Sequence, residues 1–482
     1  MNIKKRTILI LMLGAIALSN TLTLDNYLKD IINNDPAYSQ IFLDNQNIKG
    51  ALQSMRAMYD PRLSASYEYR KKDQQIYNFV GSPIAINDNK SFMTTLGLSK
   101  KVKATGTDIS LSYLRMDTSS MLGPTSNTQI NPSVTLKIAQ PLWQDFMGIY
   151  SRMDSNKLEM QKELVALSVL EAKENYFLQA TNLYYDWLSL SLAITPLSVS
   201  YQNAKLMYAQ VKDQFNNDAA LKTDLLQAEN AVLLYKNALQ QTMYSWNQVA
   251  SSIYQKMGTN FTPETNWENL SETPIICDTF CQENNIDSLP NIRLIATTQK
   301  LLEQYQLDLE KAVRSSMPNL SVYGEIANYK NTSAATDSFT DLNKAEYAAG
   351  FAFSTPLGTN SLDGQKKSIN ADIEKTKQAL TKTKNDLNTL YINQLLNLEN
   401  IKTTEVNMLK IASNSRKILD METKRFSQGK TMLFNITDYR QRYTQSKIDH
   451  LNKLVELSKQ QVSLAALNDT LLDKINKLLG GE

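Results

Sequence analysis

The chain states its plan twice. Met58-Tyr59-Asp60-Pro61-Arg62-Leu63 leads from a helical stretch into alternating residues, and Ser315-Ser316-Met317-Pro318-Asn319-Leu320 does the same in the second half. Each junction is followed by strand-like residues, then by a strand ending in a Pro-Leu pair (Pro141-Leu142 and Pro356-Leu357), then by a very long helical stretch. An internal repeat constrains a fold more than any local motif does, because it fixes the architecture. Helix, strands and long helix, twice over, predict a β-barrel mounted on a helical stalk.

Export fits this plan. Lys4, Lys5 and Arg6 precede an apolar run from Ile8 to Leu18, and Ala17-Leu18-Ser19 suits cleavage, so residues 1–19 read as a signal peptide. That run is too short to span a bilayer as a helix. Cys277 and Cys281 are the only cysteines; in an oxidising compartment a disulfide is the default, with two free thiols as the alternative. A metal would need more ligands, and the single histidine, His450, is far away in sequence. The net charge of +3, without a basic cluster, argues against nucleic acid.

Strands are expected at 62–70, 92–103, 107–116 and 132–141 in the first half, and at 319–328 and 346–355 in the second. Leu63, Ala65, Tyr67 and Tyr69 alternate with Ser64, Ser66, Glu68 and Arg70, giving one apolar and one polar face. Short alternating segments of this kind mark transmembrane barrels, although a half-buried soluble sheet reads the same way. Residues 71–90 and 117–131 read as long polar loops, and Lys103-Ala104-Thr105-Gly106 as a tight turn.

Helix is expected over about 35–59, from about 149 to 215 with a kink or local break at Pro196, and over about 220–257, 291–316, 364–426 and 435–479. Asp35-Pro36 has the chemistry of a helix start, with Asp as N-cap and Pro in the first turn. Each long arm would reach roughly 100 Å at about 1.5 Å per residue. The layout is therefore a first repeat over 20–257 with its hairpin tip near 215–220, an equatorial linker subdomain over 258–289, and a second repeat over 290–482 with its tip near 427–434.

These features resemble the TolC family of outer-membrane efflux proteins over essentially the whole mature chain. The marks are Leu22-Thr23-Leu24 with Asn34-Asp35-Pro36, Pro61-Arg62-Leu63, Pro318-Asn319-Leu320, Gln140-Pro141-Leu142 and two tip segments. The tips are Phe215-Asn216-Asn217-Asp218 to Lys222-Thr223-Asp224, and Arg425 to Lys430 continuing to Ile436-Thr437-Asp438. The resemblance implies a mostly helical fold: a coiled-coil periplasmic barrel below a trimeric transmembrane β-barrel in the outer membrane. It implies a homotrimer that docks on a periplasmic adaptor (a membrane fusion protein) and an inner-membrane transporter, for efflux or type I secretion. It also implies four barrel strands per chain, so that residues 92–116 either widen the barrel or lie outside it.

In the family a carboxylate just after the second tip points into the pore, and Asp438 matches that position; a second acid expected three residues later is Gln441 here. The alternative is that Thr437 or Asp438 merely caps the returning helix. Asp224 reads as the repeat counterpart of Asp438, with a capping or adaptor-contact role. Gly429 reads as a turn former. Asn217, Asp218, Lys222, Thr223, Lys430 and Thr437 complete the expected adaptor-contact set, with the second tip about three residues longer than the first. Arg425 and Lys430 are candidates to bridge neighbouring helices. The sequence offers no triad, metal cluster or Gly-rich phosphate loop, so neither an enzyme nor a cofactor is expected. The rival reading is a periplasmic coiled-coil scaffold with a soluble β subdomain.

Overall fold

The computed structural model describes residues 22–79, 82–122, 125–263, 292–330 and 342–480. The expected signal peptide, Cys277, Cys281 and most of the 258–289 linker lie outside the described residues. Two compact units are present. One takes in the chain up to Phe42 with Leu170–Ile292 and Asn385–Glu482; the other takes in Leu43–Val169 and Arg293–Lys384.

The second unit carries the strands: β1 (Arg62–Phe79), β2 (Ser82–Lys101), β3 (Asp108–Leu122), β4 (Thr125–Pro141), β5 (Asn319–Tyr329) and β6 (Lys344–Ser354). They form one antiparallel sheet in the order β1-β2-β3-β4-β5-β6. The register places Leu63, Leu98, Leu111, Leu136, Ile326 and Tyr347 opposite one another in a single row across all six strands. The adjacent row, on the other face, is Ser64, Gly97, Ser112, Thr135, Ala327 and Glu346. The alternation of the sequence thus becomes one apolar and one mostly polar face, because strand side chains point to opposite faces with period two. The apolar row is not a core: its members range from 39% exposed at Leu136 to 76% at Leu63. Aromatic residues flank it, with the Phe92 ring 5.0 Å from Tyr69 on the loop side and Phe351 and Phe353 on the helix side. An exposed apolar band between aromatic margins is what a lipid-facing barrel wall requires.

The sheet corrects two expectations. Residues 92–116 are part of it, so the described residues supply six strands rather than four. The expected loops 71–90 and 117–131 are largely strand: the ladder continues through Lys72–Asn89 and Gln75–Ile86, and through Ser119–Thr128. Beyond an apolar band a hairpin needs no apolar face, so the alternation fades while main-chain pairing persists.

The same unit contains α3 (Leu43–Arg56), α6 (Arg293–Ser315) and the first parts of α4 (Ile149–Asn216) and α7 (Asn360–Ser427). Ion pairs Lys157–Asp308 at 2.7 Å and Lys300–Glu163 at 3.2 Å tie α4 to α6.

The other unit is helical, with α1 (Leu24–Asn34), α2 (Pro36–Gln40), α5 (Lys222–Lys256), α8 (Leu433–Leu467), α9 (Leu471–Leu478) and the remainders of α4 and α7. Leu24, Tyr27, Leu28 and Ile31 recur at helical spacing and are all buried, against Phe177, Tyr184 and Leu188 of α4 and Ile253 of α5. Asp35 caps α2 by accepting from the Ala37 N–H at 2.9 Å, with Pro36 in the first turn, as its sequence anticipates. It also accepts from the Tyr176 hydroxyl at 2.7 Å and from Lys256 at 3.2 Å. The helix expected over 35–59 is broken at Ile41-Phe42, where Ile41 and Phe42 donate to the third residue back instead of the fourth. Pro196 does not end α4; it lies within a single 68-residue helix whose neighbours Ile194 and Leu197 are buried. Core packing there offsets the roughly 3 kcal/mol that an interior proline costs. No described helix is long and apolar enough to cross a membrane.

Candidate functional site

The two hairpin tips share the same pair of closing main-chain bonds. In the first, Ala219 N–H donates to Gln214 at 2.7 Å and Asp218 N–H to Phe215 at 3.1 Å. In the second, Lys430 N–H donates to Arg425 at 2.9 Å and Gly429 N–H to Phe426 at 2.8 Å. Both are Schellman closures, which place one residue in the left-handed region. That residue is Asp218 (φ 54°) in one tip and Gly429 (φ 71°) in the other. The returning helices then start from extended N-caps, Leu221 (φ −82°, ψ 155°) and Met432 (φ −87°, ψ 153°). Helix lengths match as well, 68 residues for α4 and α7 and 35 for α5 and α8.

This equivalence corrects two sequence readings. The second tip is no longer than the first. Asp224 is not the counterpart of Asp438: each lies in its returning helix, but Asp224 sits three residues after the N-cap and Asp438 six. Asp224 matches Asn435. Its carboxylate accepts from the Leu221 N–H at 3.1 Å, which makes it a cap. The reciprocal half of a capping box is absent because leucine has no side-chain acceptor. The Asn435 amide instead donates to Thr431 Oγ1 at 3.0 Å.

Neither Thr437 nor Asp438 caps α8, which begins at Leu433. The Thr437 hydroxyl donates back to Phe434 O at 2.8 Å. Asp438 Oδ2 accepts from Arg442 Nε at 2.9 Å, one turn along the same helix. Arg425 is satisfied within its own helix by Glu422 at 2.8 Å rather than bridging to a neighbour. Asn217 turns back to donate to Asp213 O at 3.0 Å. Lys222, Thr223 and Lys430 stand exposed at the tips.

Beneath the turns Met207 and Val211 of α4, Ala228 of α5, and Leu433 and Ile436 of α8 form a small apolar core that joins the two hairpins. Above it Ser200 and Thr444 share a hydrogen bond of 2.6 Å between α4 and α8. Nearby, burial holds the Arg440 guanidinium below its ordinary pKa against the opposing influence of Tyr235.

Several known structures resemble this chain along nearly its whole length. Its fold matches a crystal structure of CusC, a protein studied for folding and transmembrane channel formation, with a TM-score of 0.69 and 11% identity over 95% of each chain. It matches the outer membrane protein VceC of Vibrio cholerae with a TM-score of 0.66 and 12% identity, over 95% of this chain and 96% of that one. The Campylobacter jejuni CmeC outer membrane channel gives 0.66 and 12%, over 98% of this chain and 94% of that one. The chain has the fold of an outer-membrane channel protein. Among sequence comparisons, no protein-family model matches and no curated protein matches.

Sequence reasoning missed two features of this channel fold. One is Arg442, the ion-pair partner of Asp438; its position four residues on is the detectable signal. The other is the pair of apolar N-caps. Leu221 and Met432, 70% and 75% exposed, stand at equivalent places on the two tips together with exposed Phe434. Helix N-caps favour small polar residues, so two large apolar ones at the same position point to a requirement other than helix stability.

Proposed function

We propose that this chain is the protomer of an outer-membrane exit duct, a passive conduit serving a tripartite efflux pump or a type I secretion system. The observation that carries this reading is the apolar row running unbroken from Leu63 to Tyr347, exposed on every strand, in a chain that also carries twin long hairpins. The likeness to outer-membrane channels supports it. Three copies close the sheet into a barrel in the outer membrane, with the helices in the periplasm. The chain performs no chemistry; the driving energy belongs to an inner-membrane transporter reached through a periplasmic adaptor.

The tips are the adaptor-facing end. Leu221, Met432 and Phe434 provide apolar contact, bordered by Asn217, Asp218, Lys222, Thr223, Asp224, Gly429, Lys430 and Thr437. Asp438 lines the gate, and its ring of charge is largely offset by Arg442. Such a constriction discriminates between ions less sharply than an unpaired acidic ring.

Membrane fractionation tests this reading against a soluble coiled-coil scaffold. A duct is recovered from the outer membrane with detergent, as a trimer that dissociates only on heating. Recovery in the soluble periplasmic fraction as a monomer rejects the duct in favour of the scaffold.

A further inference from the structure

We propose that the β2–β3 hairpin is an integral part of the barrel wall and that three chains, each joining its β1 edge to the β6 edge of the next copy, close an eighteen-stranded barrel. This inference rests on the exit-duct reading for the number of copies.

Three observations carry it. First, β2 and β3 hold the apolar row in register. Leu98 and Leu111 lie between Leu63 and Leu136, and Phe92 joins the loop-side aromatic margin. A hairpin lying off the barrel has no reason to keep this register.

Second, the helix-side turn of the hairpin is built into the junction between β4 and α4. Gln140 Nε2 donates to Thr105 O at 3.0 Å, and Lys101 pairs with Asp145 at 3.1 Å. Asp145 in turn accepts from the Ser151 N–H at 2.9 Å. Gly106 and Gly148, both at positive φ, approach so closely that a Cβ on Gly106 would fall 2.9 Å from Gly148 Cα.

Third, β1 and β6 end the sheet, each paired on one side only. An open edge at membrane depth leaves main-chain groups without partners, which hydrocarbon does not tolerate. A second copy is the occupant that fits. Because the sheet holds an even number of strands, β6 of one chain runs opposite to β1 of the next, and the antiparallel meander continues without interruption.

Width follows from strand number. With strands about 4.8 Å apart and tilted by about 40°, eighteen strands give a wall roughly 36 Å across, against roughly 24 Å for twelve. Barrels of about that strand number leave an aqueous channel.

Electron microscopy of the full-length protein in lipid nanodiscs tests this directly. Eighteen strands in a ring roughly 36 Å across are expected. A trimer with twelve strands, and residues 92–116 outside the ring, overturns the proposal while leaving the exit duct intact. A soluble particle with no barrel overturns both. As an independent check, Leu63→Cys combined in turn with Tyr347→Cys, Ala349→Cys or Phe351→Cys should give a covalent trimer on oxidation in at least one pairing. No intermolecular crosslink in any pairing contradicts the edge contact.

Discussion

The left-handed residues that end the four hairpin helices come in exchanged pairs. Asp218 and Gly429 close the two tips, and Gly258 and Asp469 close α5 and α8 at equivalent positions. Each pair thus has one glycine and one aspartate, and the aspartate bears a backbone strain that glycine does not. Asp218→Gly should therefore stabilise its tip by about 1 kcal/mol, while Gly429→Ala should cost about 1–2 kcal/mol; hydrogen exchange at the tip amides measures both. Asp35 offers a pH-dependent counterpart. Burial alone would raise its pKa, but the Tyr176 hydroxyl, the Ala37 N–H and Lys256 outweigh it, leaving the carboxyl below its ordinary value. A carboxyl lowered by folding stabilises the protein above its unfolded pKa near ~4, and that contribution is lost as pH falls through the folded value. Asp35→Asn should cost about 1–3 kcal/mol at neutral pH and progressively less in acid, as read from melting at several pH values. The Asp35-Pro36 cap was legible in the sequence because capping chemistry is local. The strain at Asp218 was not, since aspartate reads there as an ordinary polar turn residue. Pairing Asp224 with Asp438 followed the shared Thr-Asp residue type; the turn bonds, which decide the equivalence, do not show in the sequence.

Individual strands and helices carry different amounts of information in their residues. Where a strand crosses the apolar row, its alternation shows it plainly. Past that row apolar and polar residues no longer alternate in the sequence, and only the main-chain ladder reveals that β1 continues to Phe79 and β2 begins at Ser82. At Pro196 the expected local break is absent for the opposite reason: a strong local signal is overruled by packing around α4. The α8–α9 break, absent from the sequence reading, is set by Asp469 at φ 56° and by the Glu174 carboxylate, which accepts from the Leu471 N–H at 3.1 Å. A test at this scale uses two neighbouring residues of β3. Leu111→Arg places a cation on the lipid face and should destabilise the barrel by about 2–4 kcal/mol, whereas Ser112→Arg on the other face should be tolerated. The yield of heat-dissociable trimer in the membrane fraction compares them; equal yields would contradict the assignment of faces.

At the scale of the whole molecule the repeat was the most legible feature, and the exchange of strand number for barrel width was the least. Nothing in a single sequence says whether an extra hairpin joins a wall or leaves it; register and the Gly106–Gly148 contact do. On the proposed reading this chain forms an ion-conducting duct whose narrowest charge is Asp438 offset by Arg442. Single-channel conductance of the purified protein in a planar bilayer, wild type beside Asp438→Ala and Arg442→Ala, tests it most directly. A small, weakly selective conductance is expected in the wild type. It should shift toward anions in Asp438→Ala, where Arg442 is left unopposed, and toward cations in Arg442→Ala. The absence of any conductance from membrane-inserted protein would contradict the duct, and identical selectivity in all three would remove Asp438 and Arg442 from its gate.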